Sequence, residues 1–349
     1  MAAYGAGDQV ADEGHTGNLP NFVGELFRLS PLETPFLTLS GGLTGGMPTD
    51  VIFTWQDTLH ATPDGTTVDI AEGADATFSS QKRNERRNVV SIFQYGVELS
   101  YTLQASRSLL GGTGIVPGGT AAATSILGDQ PVQDEMSWQL QIKLEQAGLD
   151  VEDQFLNGTL AYPAGPTGRQ TQGIIGAVAA ATTTDAAAVA EVPGSTAGDF
   201  AIDRAVFVID EMAKDLYDEG APMRNVVLMG NSDAKVDIGR HFRTEFGNVQ
   251  PRSYNVFGIN VTDIETEFYR FPFVLNRHLP SGATGVVLMI DLAQCAPCFL
   301  PVPDKGHFFL EPLAKAGAYD RMQLYGEIGL KYGPAGWHAK ADNWDTISA

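Results

Sequence analysis

Cysteine is almost absent from this chain: among 349 residues only Cys295 and Cys298 occur. Two thiols do not frame a disulfide scaffold. A sequence that is 43% hydrophobic can fill a core without one. Basic residues are also scarce, with 22 Lys and Arg against 42 Asp and Glu and a formal net charge of −20. That balance excludes a protein whose whole surface binds nucleic acid or an anionic membrane, and leaves room only for a local basic face. Long apolar runs are missing as well, so no stretch is predicted to span a bilayer and no membrane contact is expected. The first residues show neither a basic nor an apolar signal-peptide region. The expectation is a soluble protein made in a reducing cytoplasm. Familiar catalytic signatures are absent too: there is no G-x-S-x-G, no G-x-x-x-x-G-K-[ST] and no H-E-x-x-H. What is plentiful is glycine (39) and proline (19), about one residue in six against an average nearer one in eight. Turns, long connections and strands are predicted rather than a helical bundle.

Residues 1–20 are small, polar and acidic, and read as an arm that orders only against a partner. Phe22, Phe27, Leu29, Leu32 and Phe36 follow, broken by Pro31 and Pro35, which forbid a long helix. From Val51, apolar Val51, Phe53 and Trp55 alternate with Ile52, Thr54 and Gln56, a strand period. A second strand is predicted from Asn88 to Tyr101, and the two form a long hairpin joined by about thirty polar residues. Such a hairpin has too little core to stand alone. Residues 131–157 carry the strongest helix signal: Val132, Met136, Leu140, Leu144, Ala147, Val151 and Phe155 line one face, and Asn157-Gly158 supplies the stop. A connector, 160–198, should hold short strands near Ile174-Ile175 and Val189.

An α/β unit over 199–300 is predicted next. A helix carrying Ile202, Ala205, Val206, Ile209, Met212, Ala213, Leu216 and Tyr217 ends at Gly220; the NVVLM strand follows, and Ser232 caps a second helix. Further strands fall at Ile259–Val261, Phe273–Leu275 and Val286–Ile290, giving a mixed sheet covered by helices. From Arg321 to Tyr332 strict alternation predicts a long half-buried strand, with Trp337 to Ala341 pairing back on it after a Pro334-Ala335-Gly336 turn.

Candidate chemistry is thin. Cys295-Ala296-Pro297-Cys298 is a C-x-x-C, but Pro297, Pro301 and Pro303 deny it the helix that would lower a thiol pKa, and no second pair completes a zinc site. Two small apolar thiols in a loop are the plainer reading. Asp210, Glu211, Asp215, Asp218 and Glu219 read as a solvated helix face. More distinctive are Lys82, Arg83, Arg86 and Arg87, four cations within six positions of the hairpin. In so acidic a chain, a concentrated basic patch has an evident partner in the acidic face of another copy.

Floppy arm, protruding hairpin, long helix, α/β unit, closing long strand: that order resembles the HK97-like major capsid protein of tailed bacteriophages. Phe27-Arg28-Leu29-Ser30-Pro31-Leu32-Glu33-Thr34-Pro35-Phe36 and Phe53-Thr54-Trp55-Gln56-Asp57-Thr58-Leu59 carry the likeness, as do Asn88 to Leu99 and the helix opening at Pro131 with Asp134-Glu135. The resemblance implies an α+β capsid fold: an N-terminal arm over 1–49, an E-loop hairpin over 50–103, and a peripheral domain over 104–197 with its spine helix at 131–157. An axial domain over 198–300 and returning peripheral strands over 301–349 complete it. It implies a non-enzymatic subunit assembling with its own copies into hexamers and pentamers of an icosahedral head. That head encloses double-stranded DNA without sequence-specific contact, with a portal protein and scaffold or decoration proteins as further partners; synthesis is in the host cytoplasm. No cofactor and no metal are expected. Trp55, Lys82, Arg83, Arg86 and Arg87 of the hairpin and Phe22, Phe27 and Phe36 of the arm are the expected intersubunit contacts. The namesake of the fold joins an E-loop lysine to an asparagine; here Lys82 is the only hairpin lysine, and no motif marks a partner for it. An encapsulin-type nanocompartment shell is the alternative within the fold, and a thiol redox enzyme using Cys295 and Cys298 the alternative outside it.

Overall fold

A computed structural model describes residues 32–43, 47–48, 50–58, 71–75, 78, 80, 82–102, 135–162, 168–186, 197–245, 253–256, 259–315 and 317–344. In chain order its elements are α1 (Pro35–Ser40), β1 (Met47–Pro48), β2 (Ile52–Asp57), β3 (Asn84–Val89), β4 (Ser91–Ser100), α2 (Glu135–Asn157), α3 (Ile174–Ala177) and β5 (Thr183–Asp185). There follow α4 (Ala197–Asp218), β6 (Val226–Gly230), α5 (Ser232–Glu245), β7 (Ser253–Val256), β8 (Ile259–Glu265), β9 (Arg270–Leu275), β10 (Val287–Asp291), β11 (Ala296–Phe299), β12 (Phe308–Pro312), β13 (Tyr319–Lys331) and β14 (His338–Asp342). The chain divides into two compact units.

The smaller unit takes residues 97–142 and 312–322 besides the first 31. Its described part is tied by backbone and charge. The Tyr101 N–H donates to the Ala318 carbonyl at 3.1 Å and the Leu313 N–H to that of Arg321 at 3.0 Å. Arg321 pairs with Glu98 at 2.7 Å and Lys315 with Asp320 at 2.7 Å.

The larger unit holds the main core. Among the described residues seven strands form a mixed sheet in the order β5-β14-β10-β6-β9-β8-β7, with β6 parallel to β9 and antiparallel to β10. Its central strands are apolar without alternation because both faces are covered. Val226, Leu228, Phe273, Val287 and Met289 pack with Val208, Ile209, Met212 and Leu216 of α4 and Ile238 of α5. Their neighbours Val227, Met229, Val274, Leu288 and Ile290 face the other way, joining Val151, Phe155 and Leu156 of α2, Phe36 of α1, and Phe299 and Ile328 of β11 and β13. Each such large side chain, fully buried, contributes roughly 1.5–3 kcal/mol. A second sheet runs β1-β11-β13-β12, with β4 also on β13. β2 and β3 make a separate two-stranded ribbon.

Several expectations need correction. The hairpin partner of β2 is β3, in register from Ile52↔Val89 to Asp57↔Asn84, and not the stretch to Tyr101. Val89, Val90 and Ser91 are buried in succession. There the chain leaves the ribbon and begins β4, which pairs with β13. Ile174-Ile175 opens the short helix α3, and the connector's strand is β5; Val189 lies outside the described residues. Ser232 is not the cap of α5: Asn231 is, its Oδ1 accepting the Ala234 N–H at 2.9 Å. β14 does not fold back on β13 but pairs with β10 and β5 in the seven-stranded sheet, after a 3-10 turn at Ala335–Trp337. Nor is Cys298 in a loop, since it belongs to β11.

Where the expectation held, the reason is local. α2 is helical from Glu135 to Asn157, with Ala147, Val151, Phe155 and Leu156 buried, whereas Leu144 of the expected face is exposed and residues 131–134 lie outside the described residues. α4 closes at Gly220, whose φ of 76° suits glycine. There the Ala221 N–H bonds to the Leu216 carbonyl and the Gly220 N–H to that of Tyr217, both at 3.0 Å.

Candidate assembly surfaces

The hairpin ribbon is barely covered. β2 alternates exposed and half-buried side chains, and the first four residues of β3 are all exposed. Its half-buried face is aromatic. The Trp55 indole stacks near Phe53 (6.0 Å) and meets Tyr332 edge-on (4.9 Å), and its N–H donates to the Gly333 carbonyl at 2.9 Å. Gly329 of β13 permits this approach, because a Cβ there would meet the Phe53 ring at 2.9 Å and the Val89 carbonyl at 3.1 Å. Trp55 is thus packed against its own chain and half-buried.

The four predicted cations separate into two kinds. Arg86 pairs with Asp57 at 3.0 Å across the ribbon, and the Arg87 guanidinium lies over the Tyr162 ring at 5.1 Å. Lys82 and Arg83 are exposed, and Arg83 only brushes Gln56 at 3.5 Å. The ribbon therefore offers its first two cations outward and uses the other two internally.

A buried polar network fixes the root of the ribbon. Asn88, fully buried, donates to the Leu330 carbonyl at 2.7 Å and the Gln172 carbonyl at 3.1 Å, and accepts the Gln172 N–H at 2.9 Å. The Ser91 hydroxyl accepts the Thr171 N–H at 2.7 Å. Arg169 donates to the Val90 carbonyl at 2.9 Å and pairs with Glu327, which also accepts the Tyr325 hydroxyl at 2.6 Å. Every partner is satisfied, so the exit of the hairpin is held in one geometry.

In α1, Phe36 is fully buried, edge-on to Phe155 at 6.4 Å. Its ring fills the subunit's own core. Thr34 gives no side-chain cap to this helix. Instead Glu152 of α2, itself fully buried, accepts the Phe36 N–H at 3.0 Å, the Leu37 N–H at 2.6 Å and the Asn276 amide at 2.6 Å. Burial pushes its pKa above the usual carboxylate range, and these three donors oppose that shift. Phe22 and Phe27 lie outside the described residues.

The thiols are free and buried, and burial raises the pKa of each, most of all Cys295, where Asp291 adds to the effect. That is the opposite of what a redox thiolate needs. Among the described residues no group of His, Cys, Asp and Glu could hold a metal ion, and no helix is long and apolar enough to cross a membrane.

Sequence reasoning missed Glu152, Asn88, Arg169 and Glu327. None carried a local signal: Asn88 follows four exposed polar residues of β3, and only the tertiary fold buries it.

Taken together, the described residues form a well-filled core and an underpacked ribbon. A family model described as SU10 major capsid protein matches residues 9–345. The chain belongs to that family. It is a major capsid protein, and its fold is the HK97-like capsid fold. The capsid protein of cyanophage A-1(L) is similar over 93% of this chain and 96% of its own, at 12% identity and a TM-score of 0.57. A chain from Mycobacterium phage Adephagia is similar over 99% of both chains at 10% identity and a TM-score of 0.55. The SrpI encapsulin from Synechococcus elongatus PCC 7942 is similar over 97% and 96% at 14% identity and 0.56. At such identities these likenesses speak to the fold. No curated protein matches the chain.

Proposed function

We propose that this major capsid protein assembles with its own copies into hexamers and pentamers of an icosahedral head around double-stranded DNA. The ribbon carries the reading. A two-stranded sheet is marginal in water, and here four successive β3 residues are exposed, with Lys82 and Arg83 beside them. A neighbouring copy supplies the missing surface, and repetition of a head-to-tail contact closes rings. The net charge of −20 supports the container role, since an acidic wall does not hold the genome through many phosphate contacts.

A portal protein and a scaffold or decoration protein complete the assembly, which forms in the host cytoplasm. The subunit acts without catalysis: thiols whose pKa is raised by burial do not support a redox enzyme. The encapsulin likeness sustains a second reading, a nanocompartment without a genome; the family to which the chain belongs favours the phage head.

Electron microscopy of particles formed by the full-length chain tests this reading. Closed shells built of six- and five-fold clusters are expected. A monomer that stays monomeric at high concentration, with a protease-resistant ribbon, would refute it. Nuclease-protected double-stranded DNA in particles from infected cells separates the head from the nanocompartment.

A further inference from the structure

An open cleft of about 810 Å³ lies at one end of the seven-stranded sheet, where β6 and β9 begin and β10 ends. Arg224 and Asn225, in the turn before β6, line it together with Tyr269 and Pro272 and with Leu292 and Ala293 after β10. Hydrogen bonds fix its frame. The Leu292 N–H donates to the Asn225 carbonyl at 3.2 Å, the Thr266 N–H donates to the Tyr269 carbonyl at 3.0 Å, and the Thr266 hydroxyl accepts the Tyr269 N–H at 3.2 Å. The Tyr269 ring lies 5.7 Å from that of Phe271. The cleft is thus built into the sheet, and it is large enough for a small organic molecule.

Three of its polar groups are unengaged. Among the described residues neither the Arg224 guanidinium, nor the Asn225 amide, nor the Tyr269 hydroxyl has a partner. An arginine without an acid stands out in a chain with 42 Asp and Glu against 22 Lys and Arg. Arg270, which also lines the cleft, is held by Asp263 at 2.5 Å. Two arginines against one aspartate leave the cleft one positive charge, on a molecule of formal charge −20. A local cation of this kind draws small anions. Met223, just before Arg224, has a φ of 51°, a left-handed conformation that costs a non-glycine residue free energy. Its side chain packs on the core between α4 and the sheet. The turn that presents Arg224 is therefore set by a half-buried anchor.

We propose that this cleft binds a small aromatic phosphate of the size of a nucleoside monophosphate. Arg224 takes the phosphate in a charge-assisted pair, and the Asn225 amide donates to the same group. The guanidinium fork matches phosphate geometry, and one free arginine suits one phosphate. A flat ring lies on Tyr269, with Pro272 and Leu292 as the apolar part of the lining. The charge outside the cleft keeps the ligand small: Glu265 and Glu267 are exposed on the turn that carries Tyr269, and they repel a long polyanion. Binding of this kind does not depend on how copies assemble.

Equilibrium dialysis of the full-length, unassembled chain against adenosine monophosphate, adenosine and inorganic phosphate tests the site. The monophosphate should bind saturably below about 1 mM. Adenosine and phosphate should each bind at least about tenfold more weakly, because each makes only part of the contact. Arg224→Gln and Tyr269→Leu should each weaken the monophosphate about tenfold. Their melting temperatures should match that of the wild type, since both side chains are exposed. Absence of saturation, adenosine binding as well as its monophosphate, or unchanged affinity in Arg224→Gln would overturn the proposal. A second measurement needs no variant. Photolabelling of the native chain with azido-adenosine monophosphate should mark residues 224–227 or 263–272, and excess unlabelled monophosphate should protect them. Label confined to other segments would overturn the site.

Discussion

The Oε2 atom of Glu152, in the C-terminal third of α2, accepts the backbone N–H of Leu37 at 2.6 Å across 115 positions of sequence. A carboxylate from one helix thus caps another. α1 is only six residues long and too short to hold itself together in water. Its start is anchored by Glu152 and its apolar side by Phe155, so the position of α1 is fixed by one buried acid and one aromatic contact.

Glu152→Ala should therefore destabilise the subunit well beyond the loss of one side chain. It leaves the Phe36 and Leu37 N–H groups and the Asn276 amide without their acceptor. Buried donors left unpaired cost about 1–3 kcal/mol each, so a loss of about 3 kcal/mol or more is expected. Urea unfolding of the unassembled subunit measures it. An unchanged midpoint would mean that α1 does not depend on this cap.

Arg169 and Glu327 form a pair that is nearly enclosed, with side chains 15% and 11% exposed. Removing one partner of such a pair strands the other charge and costs about 3–5 kcal/mol. Arg169→Met alone should fall in that range, and adding Glu327→Leu should recover most of it. A double variant as unstable as the single one would show that the stabilisation lies in the Arg169 bond to Val90 and not in the ion pair.

How far the sequence could be read depends on the range of the information. α2 was legible because its apolar stride from Ala147 to Phe155 is local, and the α4 terminus because Gly220 is the residue that a left-handed C-cap requires. The strands of the seven-stranded sheet were legible as apolar runs, while their partners were not. β14 pairs with β10 about fifty positions earlier, and nothing in His338–Asp342 names that partner. Continuous apolar character through Val89 and Val90 hid the point where the chain changes sheets. Glu152 had no local mark, being one of 42 acids beside a helix face that alternates with them. Its role exists only once α1 and β9 have been brought to it.

His338 should make the subunit acid-sensitive near neutrality. It is fully buried, its Nδ1 accepts the Asp291 N–H at 3.3 Å, and its Nε2 faces the Tyr332 carbonyl. Protonation would turn Nδ1 into a donor aimed at another donor. Burial lowers its pKa below the ordinary 6.5, against the opposing pull of the Tyr332 bond and of Asp291. Between the two values the unfolded chain binds a proton that the folded chain refuses. Stability is therefore full above about 6.5 and falls as the pH drops towards the folded value, by at most about 1.4 kcal/mol per pH unit. A His338→Gln variant should be less stable at alkaline pH yet lack that slope. A wild-type stability that is flat between about pH 5.5 and 7.5 would contradict the neutral, buried imidazole.

The hairpin cations should divide by phenotype, because the structure gives them different work. Arg86 pairs with the Oδ2 of Asp57, whose side chain is 18% exposed and whose Oδ1 is buried without a hydrogen-bond partner. Arg86→Ser should loosen the ribbon within the subunit and lower its melting temperature, an effect of about 1 kcal/mol at a site this open to solvent. Among the described residues Lys82 and Arg83 have no comparable task inside the subunit, being exposed beside the ribbon. Lys82→Ser with Arg83→Ser should leave the melting temperature of the unassembled subunit unchanged and yet reduce the yield of shells. Calorimetry of the subunit and sedimentation of the particles separate the two outcomes. If the Ser pair lowered the subunit's melting temperature as much as Arg86→Ser does, the outward cations would belong to the fold, and shell formation would have to draw its charge complementarity from elsewhere.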